Sequence, residues 1–170
     1  MKAISSWHVG VAAEAFAAAL FARLGYDVSV QYGANQPEYD LIAVSGDKML
    51  KISVKGSQDG GWGLTQSYKK GCDYQEAIQK WLSNHHKKTI FCLVQFKGTE
   101  DHEMPRMYLA SPVEIAEVLK KSAGGRGETI LYEYHEWGPR AVRRGTIDRV
   151  PYEWRFTSEP PKDMFETYGQ

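Results

Sequence analysis

A predicted β-hairpin at residues 37–57 limits the fold of this chain more than any other stretch. Residues 41–44 are apolar and strand-forming, residues 49–54 alternate in polarity, and the Gly46-Asp47 dipeptide between them suits a type II′ turn. With a two-residue turn there, the two residue numbers of each facing pair sum to 93. This register gives the hairpin one apolar face, built from the pairs Leu41 with Ile52, Ala43 with Leu50 and Tyr39 with Val54.

The opposite face of the hairpin carries an acid and a lysine. Asp40 faces Ser53 in this register, and Lys55 lies two residues further along the second strand. Diagonal neighbours in a sheet are roughly 7 to 8 Å apart, so the acid and the lysine can hold one phosphate through a divalent metal ion. The metal would polarise the phosphate and activate water, and the ammonium group would offset developing negative charge. A plain ion pair on a solvated sheet face explains the same spacing.

A single acid interrupts the predicted first helix. Residues 6–24 are expected to form an alanine-rich helix whose core stripe is Phe16, Leu20 and Leu24. Glu14 is the only ionisable residue between positions 9 and 22, and a helix this apolar is expected to be covered on most of its circumference. Burying this carboxylate is costly unless a metal ion or Lys55 compensates it. Exposure through a gap to solvent, or a cap on a neighbouring amide, is the alternative.

At these residues the sequence resembles the PD-(D/E)XK, or restriction-endonuclease-like, nuclease superfamily, particularly its small members similar to the archaeal Holliday-junction resolvases. Glu14 matches the glutamate of the family's first helix, Asp40 the aspartate that opens its second strand, and Lys55 the lysine of its (D/E/Q)-x-K motif. Residues 37–40, Pro-Glu-Tyr-Asp, stand for the degenerate PD element. The resemblance covers about residues 5–97. It implies an α/β fold with a mixed central sheet flanked by helices, in the order α-β-β-β-α-β.

The resemblance also implies a catalytic site. Asp40 and Glu14 would bind Mg²⁺ or Mn²⁺, and Lys55 would position the scissile phosphate or the water. Ser53 occupies the place of the family's second acid. A serine is a neutral and weaker ligand for Mg²⁺ than a carboxylate, so it would contribute only a hydroxyl or a bound water. Glu38 is a nearby acid that could supply the missing charge.

Composition limits the partners of this chain. Lysines and arginines number 21, as do aspartates and glutamates, so the formal net charge is zero. Nucleic-acid-binding proteins are usually basic, so a nucleic-acid surface here must be a local patch. Cys72 and Cys92 lack metal-binding spacing and are expected to be free thiols in the cytoplasm. No apolar run is long enough to span a membrane, and no signal-peptide pattern is present, so neither membrane nor export is expected.

The remaining sequence predicts one domain over residues 1–170, with a C-terminal α+β extension at about 105–158. Further helices are predicted at residues 73–83 and 111–121, and further strands at 26–32, 89–96, 107–110 and 129–135. His85 and His86 are read as part of a solvated basic turn. The tail from Glu159 onwards is expected to be a loosely docked end.

Two basic segments are candidate nucleic-acid-binding surfaces. Lys69 and Lys70 follow a glycine-rich loop, whose Trp62 is expected either to stack on a base or to pack on the domain surface. Arg143 and Arg144 lie in the most basic stretch, residues 140–149, close to further aromatic residues. Arginines beside aromatic rings suit phosphate contacts and base stacking. A solvated hairpin edge that its arginines protect from aggregation is the alternative.

Three functions from different classes follow from these patterns. The favoured one is metal-dependent hydrolysis of nucleic acid, with DNA as the first expectation, by a Mg²⁺-dependent endonuclease. The second is a nuclease-like fold that binds nucleic acid without cutting it, and the third is a protein-interaction module, which the zero net charge favours. Members of the resembled family that cut both strands often pair, so a homodimer is one expectation. Serine-hydrolase and dinucleotide-binding signatures are absent from the sequence.

Overall fold

The computed structural model describes residues 4–31, 38–85, 87–140, 145–157 and 162–170. Among these residues, no helix is both long enough and apolar enough to cross a membrane.

The helices and strands, in chain order, are α1 (Ser6–Arg23), β1 (Asp27–Val30), β2 (Leu41–Ser45), β3 (Lys48–Ser57), β4 (Gly61–Gly63), α2 (Tyr74–Ser83), β5 (Thr89–Gln95), β6 (Arg106–Ala110), α3 (Pro112–Lys121), β7 (Ile130–Tyr132), β8 (Tyr134–Glu136), β9 (Ile147–Arg149) and α4 (Lys162–Tyr168).

A five-stranded mixed sheet forms the centre of the fold, in the order β1-β2-β3-β5-β6. Strand β2 runs antiparallel to both β1 and β3, β5 runs parallel to β3, and β6 runs antiparallel to β5. The parallel pair needs a crossover connection, and α2 lies in it. The predicted fold class, a mixed α/β sheet flanked by helices, is therefore confirmed.

The hairpin between β2 and β3 has the predicted register. Leu41 pairs with Ile52, Ala43 with Leu50 and Ser45 with Lys48. Gly46 has φ of 62°, whereas Asp47 is not in the left-handed region, as a type II′ turn requires. The strand pairing ends at Leu41, so the predicted further pair of Tyr39 with Val54 is not part of it.

The two faces of the central sheet bury two separate apolar clusters. One face packs against α1 and α4, with Leu41, Ile52, Cys92, Val94 and Phe165 in its cluster. The other face packs against α2, α3 and the β4–β7 ribbon, with Trp62, Ile78, Phe91, Leu93, Ile115 and Leu131 in its cluster. Alternation along β3 assigns Leu50, Ile52 and Val54 to the first face. Lys51, Ser53 and Lys55 therefore point to the second.

Helix α1 buries a different stripe from the predicted one. Phe16, Leu20 and Leu24 are only partly buried, and the fully buried positions are Val9, Ala13, Ala17 and Phe21. The expectation of a helix covered on most sides is also wrong, since the side chains of Trp7 and Val11 are exposed. Small side chains let the helix backbone lie close to the sheet, and this close approach selects the alanine face rather than the bulkier one.

Gly56 in β3 marks the point of closest approach between α1 and the sheet. A Cβ at this position would lie 2.8 Å from the carbonyl oxygen of Val9 and 2.9 Å from the Cβ of Ala13. Both neighbours belong to a helix that cannot give way locally. Glycine is thus required at position 56 because there is no space for a side chain, and not because of its backbone dihedral angles.

Two further predictions are wrong. The predicted strand at residues 129–135 is two strands, β7 and β8, which pair in different ribbons with β4 and β9. The C-terminal tail is docked rather than loose, because α4 has an apolar side. Tyr26 stacks on Phe165 with ring centroids 4.9 Å apart, and the Gln170 backbone exchanges hydrogen bonds of 3.1 and 3.0 Å with Met49.

The two cysteines are free thiols, as predicted. The thiol of Cys92 is buried in the sheet, and burial raises its pKa to about 12. Cys72 is half-buried, and its Sγ donates to the carbonyl oxygen of Tyr68 at 3.0 Å.

We expect Gly56→Ala to lower the free energy of unfolding by about 1 to 3 kcal/mol, because the added methyl overlaps the α1 backbone. Gly10→Ala is the matched control, since a Cβ there meets no atom within 4 Å and alanine favours a helix. This control should gain up to about 1 kcal/mol. Urea denaturation of the three proteins measures both effects. Equal stability of Gly56→Ala and the native protein would contradict the close contact.

Candidate functional site

Asp40 is held by both of its neighbouring strands. Its Oδ2 accepts a hydrogen bond of 2.6 Å from the Val54 amide, and its own amide donates to the Ile52 carbonyl at 2.9 Å. Its carbonyl oxygen accepts from the Gln31 amide at 2.8 Å. The direct pairing of Asp40 with Ser53 expected from the register is replaced by these contacts, because the carboxylate takes the amide of the next residue, Val54. They hold the carboxylate beside β3, close to Lys55.

Lys55 has an exposed side chain on β3. It lines a cleft of about 280 Å³ together with Ser6 at the start of α1 and the glycine-rich strand β4. This cleft opens at the end of β3 where α1 packs over Gly56. Neither Glu14 nor Asp40 lines it.

Glu14 is electrostatically linked to both other predicted site residues. Its carboxyl group is half-buried on α1, directly after the Ala13 that contacts Gly56. Burial raises the pKa of Glu14, the negative charge of Asp40 raises it further, and the positive charge of Lys55 opposes the shift. Glu14 on α1 is therefore within electrostatic range of Asp40, just before β2, and of Lys55 on β3.

Ser53 lies between the two β3 residues that hydrogen-bond Asp40, and it is enclosed by the sheet. Its side chain is 2 % exposed, and its strand partner on β5 is Phe91 of the second apolar cluster. Among the described residues, no three His, Cys, Asp or Glu side chains gather closely enough to hold a metal ion. The two acids predicted from the sequence as metal ligands are Asp40 and Glu14, and the charge of Asp40 acts on Glu14. Such a pair fits Mg²⁺, which commonly takes one or two carboxylates and completes its shell with water and substrate phosphate.

His85 and Glu38 form a contact that the sequence did not predict. His85 Nδ1 and Glu38 Oε1 are 2.6 Å apart, with the two side chains 17 % and 29 % exposed. The imidazole packs against Trp81 and Phe91, with ring centroids 4.5 and 5.2 Å away. His85 is therefore not part of a solvated turn, because these aromatic rings cover it. Glu38 is held by this pair, which links the segment before Asp40 to the end of α2.

The predicted nucleic-acid contacts fall into two groups. Lys70 is exposed, but Lys69 is engaged within its own loop, where its Nζ donates to the Cys72 carbonyl at 2.9 Å and lies 4.6 Å from the centre of the Tyr74 ring. Arg143 and Arg144 lie outside the described residues, as do Pro37 and His86.

Trp62 does not serve as a base-stacking element. Its side chain is 2 % exposed and its indole N–H donates to the Val94 carbonyl at 3.3 Å. The ring packs edge-on against Tyr108. The glycine-rich loop is a short strand whose tryptophan completes the second apolar cluster.

No family model matches the sequence, and no curated protein matches it. Among solved structures, the chain is similar to a bacterial homing endonuclease, I-Ssp6803I, with 17 % identity and a TM-score of 0.43. The alignment covers 89 % of this chain and 86 % of that one. At this identity and TM-score the likeness is too weak to carry a functional assignment.

We expect Glu14→Gln to gain stability over the native protein as the pH rises. A raised pKa means that folded Glu14 holds its proton more tightly than the unfolded chain does. Its ionisation therefore disfavours the folded state as the pH passes from the ordinary glutamate pKa of 4.5 through the raised value. The difference in unfolding free energy between variant and native protein should grow across this window and level off above it. Solvent screening keeps it below about 1 kcal/mol.

Urea denaturation from acid to neutral pH, with EDTA present, measures this difference. Glu117→Gln at an exposed position of α3 controls for replacing a glutamate as such. A difference for Glu14→Gln that shrank with rising pH would contradict the raised pKa of Glu14.

Proposed function

We propose that this chain is a metal-dependent nuclease that hydrolyses phosphodiester bonds in nucleic acid, with DNA as the preferred substrate. The observation that supports it is the electrostatic link of Glu14 to Asp40 and to Lys55. Together with the PD-(D/E)XK resemblance of these three residues, this link favours a catalytic role over a plain surface ion pair. Within the proposal the chain acts in the cytoplasm as one domain, and two copies cooperate when both strands are cut.

Asp40 and Glu14 are the proposed metal ligands. Two carboxylates that repel each other are an arrangement that a divalent cation neutralises. Bound Mg²⁺ or Mn²⁺ would polarise the phosphate and lower the pKa of a bound water. The Val54 amide orients the Asp40 carboxylate, so that little reorganisation is needed for binding.

Lys55 is the proposed phosphate-contacting residue. Its side chain is exposed at the cleft, and its ammonium group would donate to the non-bridging oxygens of a phosphate there. Charge that develops on these oxygens during cleavage would be offset by this fixed positive group. Ser53 adds no charge, so the two acids and Lys55 carry the proposed chemistry.

A nuclease-like domain that binds nucleic acid without cutting it is the second candidate. The enclosed, neutral Ser53 favours it, since it stands where the resembled family has an acid. The two candidates differ in whether a metal ion is needed for the activity.

We expect Asp40→Asn to lower Mg²⁺- or Mn²⁺-dependent cleavage by about 100-fold or more, because the loss of a ligand exceeds the loss of an outer-shell partner. Asparagine keeps an acceptor for the Val54 amide, so the fold is retained. Asp47→Asn in the hairpin turn is the matched control and should cut like the native protein. Cleavage of plasmid and branched DNA, followed on gels, measures the rate. Equal cutting by both variants, or no cutting by the native protein with either metal, would overturn the catalytic proposal.

We expect Ser53→Asp to make stability depend on metal. A carboxylate at this enclosed position costs free energy in EDTA because it is buried beside Asp40. If Asp40 and Glu14 bind Mg²⁺, the new acid adds a ligand, and the melting temperature should rise on adding Mg²⁺ by more than it does in the native protein. Ser53→Asn, which adds no charge, is the control. If Mg²⁺ raised the melting temperatures of both variants equally, Asp40 and Glu14 would not be the metal ligands.

A further inference from the structure

A cleft at the far edge of the central sheet carries two arginines. It has a volume of about 650 Å³, and Tyr108, Glu133, Arg149, Tyr152 and Arg155 are among the residues that line it. It borders β6, the last strand of the sheet, whereas the candidate site lies at β2 and β3. The proposed cleavage chemistry makes no use of this cleft.

Glu133, the acid that lines the cleft, is already compensated. Arg106 donates to its two carboxylate oxygens at 2.6 and 2.7 Å, and the Tyr108 hydroxyl donates to it at 2.7 Å. Burial works to raise the pKa of Glu133, but these hydrogen bonds outweigh burial and lower it. Both carboxylate oxygens of Glu133 are therefore occupied by Arg106, although the Glu133 charge also acts on Arg155 at longer range.

Arg149 and Arg155 keep most of their hydrogen-bonding capacity. Arg155 donates to the neutral Tyr108 hydroxyl at 3.1 Å and lies 5.3 Å from the centre of that ring. Within the described part of the chain, neither Arg149 nor Arg155 forms an ion pair. Two guanidinium groups with unused donors in one cleft suit the oxygens of phosphate groups.

Tyr152 presents an aromatic ring at the rim of the cleft. Its side chain is 89 % exposed, although it belongs to a short 3₁₀ turn whose third residue, Trp154, is buried. Phe156 is also buried, and its amide donates to the Met107 carbonyl of β6 at 2.8 Å. These contacts anchor the turn to β6, so the backbone of Tyr152 is held at the rim and its ring is open to an unstacked base.

The cleft shares a row of the sheet with Lys55. Lys55 pairs with Leu93, Leu93 pairs with Tyr108, and Tyr108 bridges to Arg155. Three strand spacings separate Lys55 from Arg155, which is roughly 14 Å.

We propose that this cleft binds single-stranded nucleic acid, with Arg149 and Arg155 on successive phosphates and a base stacked on Tyr152. The inference goes beyond the proposed cleavage, because the cleft binds whether or not the Asp40 site cuts. Stacking on a tyrosine requires an unpaired base, so the partner is a single strand or an unpaired end rather than intact duplex.

Fluorescence polarisation of a labelled oligothymidine of about 12 nucleotides, in EDTA and at several salt concentrations, tests the cleft. Tyr152→Ala is expected to lower affinity by about 5- to 100-fold with an unchanged salt slope. Arg149→Gln and Arg155→Gln should each lower affinity and reduce the slope of log affinity against log salt by about 0.7. Lys121→Gln, which removes one charge at the exposed end of α3, should bind as the native protein does.

Absence of oligothymidine binding by the native protein would overturn the proposal, as would native affinity in Tyr152→Ala or an unchanged salt slope in Arg149→Gln. Equal binding to duplex, with no effect of Tyr152→Ala, would also overturn it. Arg149 and Tyr152 are exposed, so these two variants decide the outcome even if Arg155→Gln, which contacts Tyr108, fails to fold. Cleavage without oligothymidine binding would support the nuclease proposal and overturn the cleft proposal. Oligothymidine binding without cleavage would support the cleft proposal and overturn the nuclease proposal.

Discussion

Helix α1 lies against strand β3 with no room for a side chain at Gly56, and this contact sets the positions of the charged groups around it. Lys55 directly precedes the glycine, and Glu14 directly follows Ala13, whose Cβ a residue at position 56 would meet at 2.9 Å. Backbone packing therefore sets where the Glu14 and Lys55 side chains leave the main chain. The influence of Lys55 and Asp40 on the pKa of Glu14 is a result of this packing.

The central sheet distributes structural and chemical roles between its faces. Strand β3 gives alternate residues to the cluster under α1, where burial stabilises the fold. The intervening residues, Ser53 and Lys55, share the other face with Phe91, Leu93 and Tyr108. Because that face continues across β5 and β6, it carries a lysine at the candidate site and, at the far edge, a tyrosine that supports Arg155. One face of one sheet thus connects the two proposed phosphate-binding regions.

Features determined by neighbouring residues could be predicted from the sequence. The Gly46-Asp47 turn sets the hairpin register, and serine or aspartate caps set the starts of the helices. Features determined by distant residues could not. The pair of Glu38 and His85 joins positions 47 residues apart with no local signal. The choice of the alanine stripe on α1 depends on Gly56, and the pairing of β4 with β7 depends on long-range contacts. Hydrophobic periodicity favoured the larger side chains of α1, because it reflects hydrophobicity and contains no information on how closely the helix approaches the sheet.

The hairpin register has a further consequence for the order in which the chain folds. Asp40 and Lys55 belong to one hairpin, and hairpins close locally within about 1 to 10 μs. Strand β5 can join β3 only after the intervening α2 segment exists, and Arg155 meets Tyr108 across 47 residues. During synthesis from the N-terminus, the acid and the lysine can therefore come together while the second half of the chain is still unmade. The arginine cleft, by contrast, cannot form until residues from β6 to Arg155 have been made.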